Sequence, residues 1–302
     1  MRRSIPAVGL LVVLALGAAG HGALSAAQAT PLVFELITVP GSTHTRANGI
    51  SPDFITGLYI TGGVNHGFLY FPAWNHFKRL DIPNIAHTQL QKGSLQGVVG
   101  FYQATNGAAM HGFRYNFSGA TFDLIDYPGS SATTPWGISV HGHVVGGYAD
   151  ATGNHAFLLQ NGSFTNIDVP GSFASTALDI NVHGDIVGRY NRMGEPTRMF
   201  LRASDGTYQT IHYPGAIFTG NPGFPGGIND HGDIVGMFQD GQDMKVRGFL
   251  LDATGYHPLD DVNPARFFFV AADGIDNDGN IVGRLRITGA GGDTGFLIRR
   301  QR

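Results

Sequence analysis

Ile180-Asn181-Val182-His183-Gly184-Asp185-Ile186-Val187-Gly188 returns 48 residues later as Ile228-Asn229-Asp230-His231-Gly232-Asp233-Ile234-Val235-Gly236. The stretch belongs to a longer unit that is written six times. Three landmarks follow it around the chain. The first is an aromatic that opens a Val-Pro segment: Phe34, Phe77, Phe122, Phe164, Tyr208 and Tyr256. The second is the glycine that closes Ile-Val-Gly: Gly57, Gly100, Gly146, Gly188, Gly236 and Gly283. The third is Phe68, Phe113, Phe157, Phe200, Phe249 and Phe296. Successive glycines lie 42 to 48 residues apart, near the ~40–50-residue period of propeller blades.

Each unit divides into four short strands. Strand A is the Ile-Asn piece (178–181), and a Gly-containing turn leads to strand B (186–190). Strand C carries the phenylalanine (155–159, then 199–202), and strand D runs from the aromatic to Pro-Gly (164–169). Proline cannot donate to a ladder and glycine allows a sharp change of direction, so Pro170-Gly171 ends the strand. The chain opens with a strand D (34–39) that has no unit of its own, and its last unit stops after strand C (295–302). Joining the two completes the last unit. The expected fold is therefore all-β: a six-bladed β-propeller of four-stranded blades, its ring closed by the N-terminal strand. Closure hides strand edges, whereas an open solenoid would need caps instead. The second unit departs from the pattern, with Lys92 where isoleucine belongs and a polar stretch at 89–96, which predicts a short or displaced inner strand.

Residues 1–29 read as a signal peptide. Arg2 and Arg3 precede an apolar run (7–19), and Ala27-Gln28-Ala29 fits a cleavage site. Residues 30–302 then form a single propeller domain, secreted or periplasmic, with no membrane span after signal removal. Forty-five glycines and fifteen prolines in a 42% hydrophobic chain suit many short strands and turns. The formal net charge of −3 becomes −5 without residues 1–29, which argues against nucleic-acid binding. The absence of cysteine excludes disulfides, thiolate ligands and a cysteine nucleophile.

His155-Ala156-Phe157-Leu158 and the two Ile-Asn-x-His-Gly-Asp-Ile-Val-Gly stretches resemble the HAF-type extracellular repeat proteins of bacteria. The resemblance spans the proposed mature chain. His66-Gly67-Phe68 and His111-Gly112-Phe113 are close variants; Arg198-Met199-Phe200, Arg247-Gly248-Phe249 and Thr294-Gly295-Phe296 depart further. The family implies bacterial export and a propeller. It supplies no catalytic residue.

Asp276-Asn277-Asp278-Gly279-Asn280 has alternating oxygens around a glycine, as a calcium loop does, but lacks the acid at the twelfth position. Sibling units read as hairpin turns there, so no metal and no cofactor is expected. His66, His111 and His155 share one position and read as hydrogen-bonded between blades. Asp81, Asp126, Asp168 and Asp260 sit near the end of strand D and read as charges on an outer edge.

Strands alternate in direction, so the D–A and B–C connections share one face, where loop length varies. Two D–A stretches are conspicuous: 214–227, with Phe218 and Phe224, and 258–273, with Arg266 and Phe267. Trp136, His44, Arg46 and His87 are assigned to other D–A connections. These eight residues are the candidate ligand site, for a polysaccharide or protein. The phenylalanines would serve equally to plug the channel. The reading is an exported, non-catalytic binding or scaffolding propeller. The alternative is a carbohydrate-active hydrolase or lyase, which for hydrolysis needs two carboxylates ~5–10 Å apart; Asp240, Asp243, Asp260 and Asp261 are the acids nearest that face.

Overall fold

The computed structural model describes residues 5–6, 33–220, 226–259 and 267–300, with the backbone alone at Ile5, Pro6, Phe267 and Phe268. The candidates Phe224 and Arg266, the acids Asp260 and Asp261, and the signal segment apart from Ile5–Pro6 lie outside the described residues.

The described chain is all-β apart from a 3₁₀ turn at Pro72–Trp74. Strands pair antiparallel in chain order, four to a set. His44–Ile50, Ile55–Thr61, Val64–Phe71 and His76–Arg79 form one set. His87–Ser94, Gly97–Gln103, His111–Asn116 and Thr121–Ile125 form the next. Ala132–Ile138, Val144–Asp150, Gly153–Gln160 and Ser163–Asn166 follow, then Ala174–Ile180, Ile186–Asn191, Arg198–Arg202 and Tyr208–Ile211. In the following set, Ala216–Thr219 and Gly227–Ile228 together pair with Ile234–Asp240, which leads to Val246–Asp252 and Gly255–Pro258. Phe267–Ile275, Ile281–Ile287 and Thr294–Ile298 come last, and Phe34–Ile37 adds to Thr294–Ile298 with Phe34 opposite Ile298.

The three landmarks converge in every set. Each glycine of strand B lies in register with the phenylalanine of strand C, from Gly57 opposite Phe68 to Gly283 opposite Phe296. The phenyl ring lies over the bare Cα. A Cβ on Gly146 would stand 2.7 Å from Phe157 and would collide with the Thr134 carbonyl. Only glycine permits so close an approach. The strand-D aromatic then meets the same phenylalanine with its edge, as in Phe157–Phe164 with centroids 5.3 Å apart at 70°. Phe34 and Phe296 make this pair at 4.9 Å and 66°, although 262 residues separate them.

A further contact joins one set to the next. The residue before the proline ending strand D donates its N–H to a hydroxyl on the following strand A. Val39 gives to Thr45, Ile82 to Thr88, Tyr127 to Thr133, Val169 to Ser175 and Tyr213 to Thr219, at 2.9–3.1 Å. The strand-C histidines are indeed hydrogen-bonded, but to a partner within their own set. His66 meets Asp81 at 2.8 Å, His111 meets Asp126 at 3.0 Å and His155 meets Asp168 at 2.7 Å. The other oxygen of each aspartate accepts the next backbone N–H of strand C. These acids are locks between strands C and D, which corrects their reading as edge charges.

The second inner strand also differs from expectation. His87–Ser94 is eight residues long and mostly buried. Register shifts between Leu90 and Gly93, where sibling strands shift only between residues such as Pro135 and Gly137. The shift passes over Gln91 and Lys92 on one strand and Val99 on the other, so Gly93, opposite Val98, occupies the place of Ile138, opposite Val144. Lys92 is tolerated because its Nζ lies 2.6 Å from Asp179 and 3.0 Å from the Gly226 carbonyl. Burial of this cation is answered by a buried anion on another inner strand.

Candidate functional site

A cleft of about 480 Å³ opens where the first halves of three successive inner strands meet the second halves of their B strands. Trp136 lines it. The bulge between Pro135 and Gly137 turns this residue out of the ladder of Ala132–Ile138. It packs against Phe101, with ring centroids 5.6 Å apart, and against Leu178. Its Nε1 donates to Thr134 Oγ1 at 3.2 Å. Trp136 is thus a nearly buried strand residue and not part of a D–A connection.

Polar groups surround this aromatic floor. Gln89 comes from the second inner strand, Asn154 and His155 from strand C of the third set, and Thr176 and Arg189 from the fourth. Arg189 Nη2 donates to Thr176 Oγ1 at 3.3 Å. Its Nε is sealed from solvent and has no hydrogen-bond partner among the described residues. Burial pushes the guanidinium down to about 10, so it remains charged at neutral pH. Burial also pushes down on His155, but the hydrogen bonds and charges of Asp168 and Asp150 together outweigh it and leave the imidazole above its usual value. Burial raises the Tyr148 phenol to about 12. No carboxylate lines the cleft among the described residues.

The other sequence candidates do not gather here. His44 sits at the start of its inner strand and bonds Thr43. Arg46 pairs with Asp293 at 2.7 Å, and His87 is buried where its Nδ1 accepts the Asn65 N–H. Phe218 packs beside Met237 and Phe269. Phe267 opens the last inner strand opposite Ile287. Arg189, Gln89 and Asn154 were not singled out from sequence. Arg189 was visible as a departure from the repeat, since the position after the Ile-Val-Gly glycine holds Leu58, Phe101, Gly147 and Met237 in four other units and arginine again only at Arg284.

Of the acids considered for hydrolysis, the two among the described residues are otherwise engaged. Asp240 and Asp243 both turn to Arg247, at 3.1 and 2.6 Å. The hydrogen bond from Arg247 holds the Asp243 carboxyl well below the usual range. Asp276 accepts from Asn280 N and Nδ2, both at 2.8 Å, while Gly279 adopts φ +80°. That is a self-bonded turn. Neighbouring turns join hands: Val182 N donates to Asp230, and Asp230 N to Asn277. They surround a second cavity of about 390 Å³ on the A–B face, reached also by the Lys92–Asp179 pair.

No protein-family profile matches the chain, and no curated protein matches its sequence. Solved structures do match. TolB from Acinetobacter baumannii aligns with TM-score 0.56 and 10% identity over 87% of this chain, which spans 66% of the TolB chain's length. A TolB-designated protein of Agrobacterium tumefaciens aligns with TM-score 0.52 and 13% identity, covering 90% of this chain and 92% of that one. The β-propeller domain of the Trilobed protease from Pyrococcus furiosus aligns with TM-score 0.51 and 12% identity, covering 89% and 85%. The fold is of the β-propeller kind. At these identities the likeness extends to fold alone.

Proposed function

We propose that the chain is an exported binding propeller that recognises a glycan or a protein through the cleft around Trp136, on its D–A/B–C face. The observation that carries this reading is the cleft itself. It combines an apolar floor with polar groups from three sets, the usual make-up of a ligand pocket. Six blades are closed by the N-terminal strand, a count supported by the Phe34–Phe296 pair, which matches the corresponding pair in the other five sets. Export through residues 1–29 to the periplasm or beyond, and kinship with HAF-type repeat proteins, complete the proposal. A binding role without catalysis is supported by Asp240 and Asp243 being committed to Arg247.

Thermal unfolding against a panel of polysaccharides and envelope proteins tests it. A ligand at about 100 times its dissociation constant should stabilise the fold by ~2.7 kcal/mol. Hydrogen exchange should then slow in Ala132–Ile138 and Ala174–Ile180. Protection confined to the A–B turns would move the site to the opposite face and overturn the proposal.

A further inference from the structure

We infer that the Trp136 cleft receives a carboxylate, that of a uronic-acid residue in an acidic glycan, and that Arg189 is the group that holds it. The inference rests on the cleft being the binding site and names what binds there.

The repeat supplies an internal control. Two of its units carry arginine after the Ile-Val-Gly glycine, Arg189 and Arg284. Arg284 is fully buried, and its Nε lies 3.2 Å from the equally buried carboxylate of Asp273. Asp273 is the bulge residue of Phe267–Ile275, between Ala272 and Gly274. In Ala174–Ile180 the bulge residue is Leu178. The carboxylate that answers one arginine is thus replaced by a hydrocarbon beside the other. Arg189 is left with one hydroxyl partner and a sealed Nε that donates to nothing described. It is also the only lysine, arginine or carboxylate among the described residues lining the cleft. His155 lines the cleft as well, but Asp168 at 2.7 Å and Asp150 at 3.3 Å already face its ring.

A partly buried cation with no anion beside it among the described residues carries a desolvation cost that nothing described in the fold offsets. A ligand anion would supply the missing partner. With its Nε sealed, the guanidinium can offer its paired Nη groups as a planar fork that matches the two oxygens of a carboxylate. One fixed positive charge balances one negative charge. A phosphate dianion would bring a second, and among the described residues no other uncompensated cation lines the cleft to meet it. The amides of Gln89 and Asn154 have no partner among the described residues and can serve hydroxyl groups, while Trp136 supplies an apolar surface. A sugar ring bearing a carboxylate combines these needs.

The test uses tetragalacturonate, its fully methyl-esterified form and a sulfated oligosaccharide, titrated calorimetrically into the whole protein and into Arg189→Gln and Arg189→Lys. The acid should bind the wild type about 10- to 100-fold more tightly than the ester, the worth of a charged hydrogen bond. Arg189→Gln should bind acid and ester alike. Arg189→Lys, which keeps the charge without the fork, should fall between. Unliganded Arg189→Gln should melt at or above the wild-type temperature; a clear fall would make Arg189 a structural prop and overturn the inference. Equal binding of acid and ester by the wild type, preference for the sulfated sugar, or undiminished acid binding by Arg189→Gln would each overturn it too. If neither galacturonate binds while another glycan or a protein still protects the cleft from exchange, this inference alone fails. If nothing protects the cleft, the reading beneath it fails as well.

Discussion

The sharpest consequence of the fold concerns its first strand. Phe34 is 9% exposed and packs with Leu250, Val270 and Phe296 from the far end of the chain. Truncating a buried phenylalanine to alanine costs about 3–5 kcal/mol, and the residual exposure places Phe34→Ala near the lower figure. For a domain of this size each kcal/mol lowers the melting temperature by about 2–4 °C, so the expected fall is about 6–12 °C. Phe77→Ala, in the same place in an uninterrupted set, should lose a comparable amount. A Phe34/Phe296 double-mutant cycle should return a coupling of about 0.5–1.5 kcal/mol for the ring pair. Trimming residues 299–302 removes Arg299, whose contact with Glu35 at 2.8 Å joins two partly exposed side chains. Such surface pairs are worth about 0–1 kcal/mol, even before the exposure of Arg299 is discounted. Circular dichroism melting compares the variants directly. If Phe34→Ala melts like wild type while Phe77→Ala falls, or if trimming the C-terminus costs as much as Phe34→Ala, the N-terminal strand does not complete the last set.

Gly146→Ala should lose about 1–3 kcal/mol through collision with Phe157, whereas Gly162→Ala, at φ +78° with open space around it, should lose only about 1 kcal/mol; equal losses in denaturant melts would contradict the close-approach account. Because the His155 value is raised in the fold, the stability it contributes is complete below about pH 6.5 and fades as pH rises through the raised value. The melting difference between wild type and Asp168→Asn should therefore shrink across that window, and parallel pH profiles would refute the lock. Lys92→Met should cost about 3–5 kcal/mol by stranding Asp179, and Lys92→Met/Asp179→Leu should recover much of it in urea unfolding; no recovery would mean that the ion pair is not what the bulge requires. Trp136→Ala should lower stability by about 3–5 kcal/mol because the side chain packs on Phe101 and Leu178, so its binding role is better read from Trp136→Phe; an unchanged melting temperature would show that this packing carries no weight.

The repeat made the strand order and the terminal pairing legible, because Gly-Phe-aromatic spacing encodes one three-residue contact copied through the chain. Pro-Gly marked the strand-D exits for the same local reason. What the letters did not show was direction. Trp136, His44 and His87 lie beyond a turn signal, which reads as loop, yet inner strands begin as soon as the Thr or Ser hydroxyl catches the preceding N–H. Lys92 looked disruptive because its answering charge, Asp179, is 87 residues away. The histidine partners were similarly hidden, since Asp81, Asp126 and Asp168 read as edge charges until strands C and D are placed side by side.

Copies within one chain also separate what the fold needs from what it merely carries. Every set keeps the glycine, the phenylalanine and the edge aromatic, and these meet one another in the core. Charged departures from the pattern at inward positions are rarer and come in two kinds. Lys92 and Arg284 break the apolar pattern, and each is matched by a second departure, Asp179 and Asp273, that faces it. Such paired exceptions are internally satisfied and require no ligand. Arg189 breaks the pattern alone, beside Leu178, in the cleft with the Trp136 floor. A charge that no described residue answers is what the proposed anionic ligand would meet. For that reason the cleft around Trp136 and Arg189 is a better guide to function than the second cavity, where the buried charges already answer one another.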